Sequence, residues 1–284
     1  MTDTQTLVLS GVPSLLALYG RAAVKKEHSG TLPQLGVCVP GVRPELSAVR
    51  RYEQICHFAA SRYLPPSWPQ VMAFPLHMQL LVDPAMPLRP MGLIHIRNSF
   101  RQYRPVEKGA LLHIECTLGS AREQKAGLEF DIETRIQADG ELVWEGTSTN
   151  LSRRATPESG GKKPQQPVQH WQVLQSWKLP ADLGRRYARV SGDRNPIHMW
   201  PLTARLFGFR RPIAHGLWSK ARCLAALMEQ TGPVPLAVDV RFKTPAFLPG
   251  QVEFSHTPLE EAEVRFLLCS ASGRPHLTGV LELL

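Results

Sequence analysis

The stretch IAHGLWSKARCLAALMEQTG, Ile213 to Gly232, limits the fold more than any other part of the chain. Leu217, Trp218, Ala221, Leu224, Ala225 and Met228 recur at helical spacing, and Gly232 with Pro233 stops the run. So broad an apolar face must be covered on most sides. The cover lies just downstream. LAVDVRFKTP, QVEFSHTPLE, AEVRFLLCSA and PHLTGVLELL read as strands, each bounded by proline or glycine turn signals. One long apolar helix followed by a run of strands is an α+β pattern, an antiparallel sheet wrapped on the helix. The region before it repeats the succession. GLIHIRNSF, LLHIECTL, LEFDIETRI and ELVWEGTSTNL are strand-like, and PQVMAFPLHMQLLV is a helix kinked or shortened by Pro75. A further helix starts near Ser14.

The two regions align weakly. RRYEQICHFAASRYLPP (Arg50 to Pro66) matches RRYARVSGDRNPIHMWP (Arg185 to Pro201), and Ile94–Glu115 parallels Ala237–Phe254. Tyr52 and Tyr187 are 135 residues apart and Gly109 and Gly250 are 141 apart, a nearly constant offset that points to duplication. Between the copies, ATPESGGKKPQQPV (155–168) has almost nothing to bury and reads as a linker. It separates residues 1–154 from 169–284, each of ordinary domain size. At the tyrosine offset Asp193 falls on Phe58, so only the second copy carries a polar constellation.

Composition narrows the partners. The 284 residues carry a formal charge of +9, which attracts polyanions. The basic residues come in short clusters without a zinc-finger, RNP or basic-zipper pattern, so nucleic acid is not the expected partner. No apolar run approaches the ~20 residues that span a membrane. The start has an acid at Asp3 and is broken by Gly11 and Pro13, unlike a secretory signal. Five scattered cysteines with no C-x-x-C pair support neither disulfides nor zinc, and suit a reducing cytoplasm. No ligand set for a metal or a redox cofactor is evident.

The chemistry concentrates in YARVSGDRNPIHMW, Tyr187 to Trp200. Ser191, Gly192, Asp193, Asn195 and Pro196 are turn residues, and a plain surface turn would use them. A carboxylate and an imidazole five residues apart across a rigid proline turn can also share one water. A base within hydrogen-bond reach of that water contributes ~10²–10⁴-fold to its addition. Asn195 would orient the water, and an inward-folded Arg194 would help keep Asp193 ionised. Gly216 begins the buried helix, where free N–H groups and the helix dipole favour developing negative charge. Close helix–strand packing is the alternative reason for that glycine. His215 reads as a packing or capping histidine.

Together these residues resemble the hydratase motif of the MaoC-like (R)-specific enoyl-CoA hydratases and dehydratases, which have the hotdog fold. The motif is Tyr187, Ser191-Gly192-Asp193-x-Asn195-Pro196-x-His198, then Gly208-Phe209 and Ile213-Ala214-His215-Gly216. The resemblance is specific from Tyr187 to about Ala221. It implies a double hotdog with a degenerate first half, a pseudo-dimer within one chain that could itself pair as a homodimer. It makes Asp193 and His198 the catalytic pair, with Asn195 holding the water and the Gly216 amide polarising the thioester carbonyl. Candidate substrate contacts are Ser191, His215, Leu217, Trp218 and Arg241, and the Trp218 indole bears on acyl-chain length. The implied reaction is reversible syn addition of water to a trans-2-enoyl thioester. No separate cofactor is required, since coenzyme A or the phosphopantetheine of an acyl carrier protein belongs to the substrate. Dehydration of a 3-hydroxyacyl-carrier protein, or non-catalytic binding of acyl thioesters, are the rival readings. A hotdog thioesterase would need a helix carboxylate that AHGLWSKARCLAAL does not supply before Glu229.

Overall fold

The computed structural model of the chain describes residues 5–153, 174–259 and 263–284. The linker expected at 155–168 lies outside them. The first half runs β1 (Gln5–Val8), α1 (Leu15–Val24), β2 (Leu35–Val42), α2 (Leu46–Cys56) and α3 (Trp68–Leu81). It continues with β3 (Ile94–Gln102), β4 (Leu112–Gln124), β5 (Gly127–Ala138) and β6 (Glu141–Arg153). The second half opens with β7 (Gln175–Leu179), α4 (Leu183–Ser191), a 3-10 turn (Pro196–His198), α5 (Pro201–Leu206) and α6 (Gly216–Thr231). It closes with β8 (Leu236–Phe242), β9 (Gly250–His256), β10 (Glu263–Ser270) and β11 (Pro275–Leu283).

All eleven strands form one sheet in the order β1-β2-β4-β5-β6-β3-β8-β11-β10-β9-β7. Outward from the central β3–β8 pair, the order is β3-β6-β5-β4-β2 on one side and β8-β11-β10-β9-β7 on the other. The halves are therefore copies in topology, with β3–β4 matching β8–β9 as the internal repeat predicts. Only β1 breaks the pattern, adding a strand parallel to β2 while every other pair is antiparallel. The repeat also holds in α2 and α4. Their tyrosines, Tyr52 and Tyr187, meet with ring centroids 6.1 Å apart, and the helices end in left-handed residues, His57 and Gly192. This is the double hotdog.

Each long helix is packed on the sheet and buried along most of its length, polar positions included. In α6 every residue from Trp218 to Leu227 is buried, and Gly232 ends the helix as expected. In α3 Pro75 does not shorten the helix, which runs fourteen residues through it. Tertiary packing, more than propensity, sustains a buried helix of this kind. β4 alternates cleanly, with Leu112, Ile114, Cys116 and Leu118 turned to the core.

The two halves are joined by more than β3–β8 pairing. The Trp218 indole N–H donates to the Ile55 carbonyl at 2.9 Å, and Gln102 Nε2 donates to the Val234 carbonyl at 3.1 Å. Across the outer face Arg97 grips Asp239 with two guanidinium nitrogens. That pair is partly solvated, so it contributes at most about 1 kcal/mol. The buried contacts do more. All five cysteines are free and buried, and no helix among the described residues is long and apolar enough to cross a membrane.

Candidate active site

The site is built at the end of α4. Leu183, Gly184, Tyr187, Ala188 and Ser191 form its buried face. Gly192, with φ 75°, terminates the helix in a conformation that favours glycine. Asp193 Oδ1 then accepts from the Asn195 N–H at 3.1 Å, and Asn195 Oδ1 accepts from the Ile197 N–H at 3.4 Å. Pro196 follows as the first residue of the 3-10 turn, its missing donor costing nothing there. The turn reading therefore holds, and it leaves room for the site reading. The Asx turns exist, and they aim His198 back at Asp193.

His198 is buried, and its Nδ1 lies 2.8 Å from the Ile213 carbonyl. A carbonyl only accepts, so Nδ1 carries the proton and Nε2 presents a lone pair in the neutral ring. Burial pushes the His198 pKa below its ordinary value, opposed by the Asp193 carboxylate. His215 stacks on His198 with centroids 3.7 Å apart. Its Nε2 donates to the Asp193 carbonyl at 3.0 Å and stands 3.8 Å from Asp193 Oδ2. Burial, with His198 beside it, lowers the His215 pKa to about 3, so that ring is neutral.

One ligating atom each from Asp193, His198 and His215 falls within 4.8 Å of the others. Ring lone pairs lie in the ring plane, and the two planes are stacked at 27°.

α6 starts beside this pair. His215 occupies its N-cap position without a side-chain cap bond, so the first N–H groups of the helix remain unclaimed by it. A Cβ on Gly216 would come within 2.9–3.1 Å of the Phe242 ring, so close packing of the helix on β8 explains this glycine.

The MaoC like domain family matches residues 160–266. The 3-hydroxyacyl-thioester dehydratase X of Mycobacterium tuberculosis is 31% identical over 278 residues, 96% of this chain and 98% of that protein. The chain belongs to the MaoC-like hydratase and dehydratase family. The crystal structure of M. tuberculosis HtdX superposes with a TM-score of 0.78 at 30% identity, covering 87% of this chain and 99% of that one. The peroxisomal enoyl-CoA hydratase 2 of Arabidopsis thaliana is 26% identical over 203 residues, 64% of each chain. These relatives are hydro-lyases.

The MaoC-like motif residues do not all gather at one point. Asp193, His198, His215 and the start of α6 come together. Ser191 is a brace, its Oγ donating to the Tyr187 carbonyl at 3.0 Å and accepting from the Asp193 N–H at 3.2 Å. Leu217 lines a small cavity of about 10 Å³ with Tyr52, Tyr187 and Lys220. Trp218 is 4% exposed and spends its N–H on Ile55, so it bolts the halves together. Arg241 does not join the site. Strand alternation puts it on the outer face with Asp239, opposite Phe242, which meets Gly216. Arg194 is exposed and does not fold inward.

Two residues of the first half escape sequence reasoning. Tyr19 in α1 donates to the Gly192 carbonyl at 3.1 Å and accepts from the Arg194 N–H at 2.7 Å, latching the Asp193 turn. His95 in β3 packs its ring on Phe242 at 5.1 Å and feels the charge of Asp193. Nothing local in the sequence marks either.

Proposed function

We propose that this protein reversibly hydrates trans-2-enoyl-CoA to (R)-3-hydroxyacyl-CoA at Asp193 and His198. One observation supports the reading: His198 commits Nδ1 to the Ile213 carbonyl, which leaves Nε2 its lone pair, and a ring nitrogen of His198 lies within 4.8 Å of an Asp193 carboxylate oxygen. Water between them donates one O–H to each. As its oxygen bonds to C3, the C2–C3 π pair moves into an enolate on the thioester oxygen. Asp193 takes the water proton, His198 orients the water, and the pair returns one proton to C2. H and OH are added with nothing left over.

The enolate oxygen is received by the Gly216 N–H at the start of α6, where a fixed donor and the helix dipole stabilise it. Asn195, whose side chain caps the 3-10 turn, holds His198 and the water in register. The names of the relatives, a 3-hydroxyacyl-thioester dehydratase and an enoyl-CoA hydratase, describe the two directions of one reaction. In this reading residues 169–284 are catalytic, residues 1–154 are the silent copy, and the enzyme works in the cytoplasm. The net charge of +9 suits the phosphates of coenzyme A and equally an acidic carrier protein.

The test follows loss of enoyl absorbance with crotonyl-CoA and with a longer plain enoyl-CoA. Asp193→Asn and His198→Ala should each lower kcat/KM by about 10²-fold or more. Turnover that survives both substitutions refutes the pair. Silence of the wild type on coenzyme A and carrier thioesters alike would leave a binding subunit.

A further inference from the structure

Asp193 is held by its N–H, its carbonyl and Oδ1, and keeps Oδ2 free. The N–H donates to Ser191 Oγ at 3.2 Å, and Oδ1 accepts from the Asn195 N–H at 3.1 Å. The carbonyl accepts from His215 Nε2 at 3.0 Å. Among the described residues nothing bonds to Oδ2, since His215 Nε2 stands 3.8 Å from it, beyond hydrogen-bond reach. The His215 proton is therefore spent on the backbone and leaves the carboxylate oxygen open.

Keeping an imidazole at this position is costly. His215 is 2% exposed, and its Nδ1 is buried without a hydrogen-bond partner. An unpaired polar atom in the interior is unfavourable. A phenyl ring would fill the same place, stacked on His198 at 3.7 Å and beside Tyr187 at 4.9 Å between centroids, without that cost. The imidazole supplies what a hydrocarbon ring cannot, a donor for the Asp193 carbonyl. A residue that breaks a packing rule beside reactive groups is expected to serve them.

The segment that carries His215 touches both members of the pair. The Ile213 carbonyl fixes the proton of His198 on Nδ1, and the Ile213 N–H donates to the Ile197 carbonyl at 3.2 Å. His215, two residues on, fixes the Asp193 backbone, and Gly216 follows at once as the first residue of α6. The stacked rings are thus opposite tautomers: His198 keeps a lone pair on Nε2 and His215 keeps one on Nδ1.

We propose that His215 is a positioning residue, which clamps the Asp193 backbone so that Oδ2 alone meets the water, in register with His198 and the Gly216 N–H. The inference deepens the hydratase reading and rests on it.

The experiment compares His215→Phe, which keeps a ring and removes the donor, with His215→Gln, whose side-chain amide restores a donor without the ring. The substrate is crotonyl-CoA or the longer enoyl-CoA, whichever the wild type turns over faster. His215→Phe should lower kcat by about 10-fold to 10²-fold, the loss that a displacement of up to about 1 Å brings. KM should move by less than about threefold, because the buried ring offers the substrate no surface. His215→Gln should recover most of the lost kcat. Wild-type kcat in His215→Phe, a loss expressed in KM, or a His215→Gln enzyme as slow as His215→Phe overturns the clamp. The ring protons are read without turnover, from long-range proton–nitrogen correlation spectra of the assigned, nitrogen-labelled wild type. His215 protonated on Nε2 beside His198 protonated on Nδ1 is the expected result. Those opposite tautomers in a protein silent on every enoyl thioester support the clamp and refute the hydration. His215 protonated on Nδ1 overturns the clamp even in an active enzyme, and should the variants fail to fold, the wild-type tautomers decide alone.

Discussion

Gly184 touches no substrate, yet its replacement by alanine should disable the enzyme. A Cβ at this position in α4 would sit 2.0 Å from the His198 carbonyl oxygen and 3.0 Å from the carbon behind it. Ordinary contact begins near 3.4 Å, so α4 and the 3-10 turn must part by 1.4 Å. Neither partner is a flexible side-chain tip; both are backbone. Overpacking of this kind costs typically 1–3 kcal/mol of stability. The displacement falls on His198 itself, and a shift of about 1 Å at a reacting group lowers the rate by about 10²-fold. Gly184→Ala should therefore fold with a lowered denaturation midpoint and hydrate its best enoyl thioester about 10²-fold more slowly. Gly20→Ala is the control: nothing lies within 4 Å of a Cβ there, and in the middle of α1 alanine should stabilise by roughly 0.8–1 kcal/mol. A Gly184→Ala enzyme with wild-type kcat and midpoint would refute the reasoning, because the close approach to His198 could not then be real.

Two other outcomes follow from the same geometry. Tyr19→Phe removes both hydrogen bonds of the latch and leaves the Arg194 N–H without its acceptor, a loss of about 1–3 kcal/mol measurable by urea titration. Its kcat should fall as well, and an unchanged kcat would show that the Asp193 turn holds without α1. Stability should also fall in mild acid. Burial holds His77 and His215 neutral down to about 3 and His95 to about 4, against an ordinary value of 6.5 in the unfolded chain. Stability is then complete above pH 6.5 and is lost progressively below it, as the unfolded chain takes up protons that the folded one refuses. Each histidine adds up to about 1.4 kcal/mol per pH unit to that slope. His77→Gln should flatten the decline between pH 6 and 4, and an equal decline in both proteins would overturn the assignment.

Much of this molecule was legible in its sequence, and the pattern of what was not is physical. Periodicity found α6 and the strands from β3 to β11 other than β7, because alternation and apolar breadth are local properties. The Asp193–His198 motif was equally legible, since its turn chemistry and its reactive groups are contiguous. β1, β2 and β7 are short or edge strands whose pairing depends on partners far along the chain. Arg241 stands on the outer face of β8, away from Asp193, and proximity in sequence does not reveal which face of a strand a residue takes. Tyr19 and His95 are brought to the site by α1 and by a bulge in β3, and neither can be read from spacing. The Trp218 indole, expected to bear on acyl-chain length, gives its N–H to Ile55 in the other half, a partner that no local pattern reveals.

The duplicated halves meet along β3 and β8, and that joint divides the labour of the protein. On the proposed reading, water activation falls on one stretch, from α4 to the start of α6, while α1 and β3 of the other copy supply Tyr19 and His95 beside it. If that reading holds, a substitution in the first half can tune the enzyme while Asp193 and His198 stay in place, and the first copy is the adjustable jaw of a wrench whose other jaw is fixed.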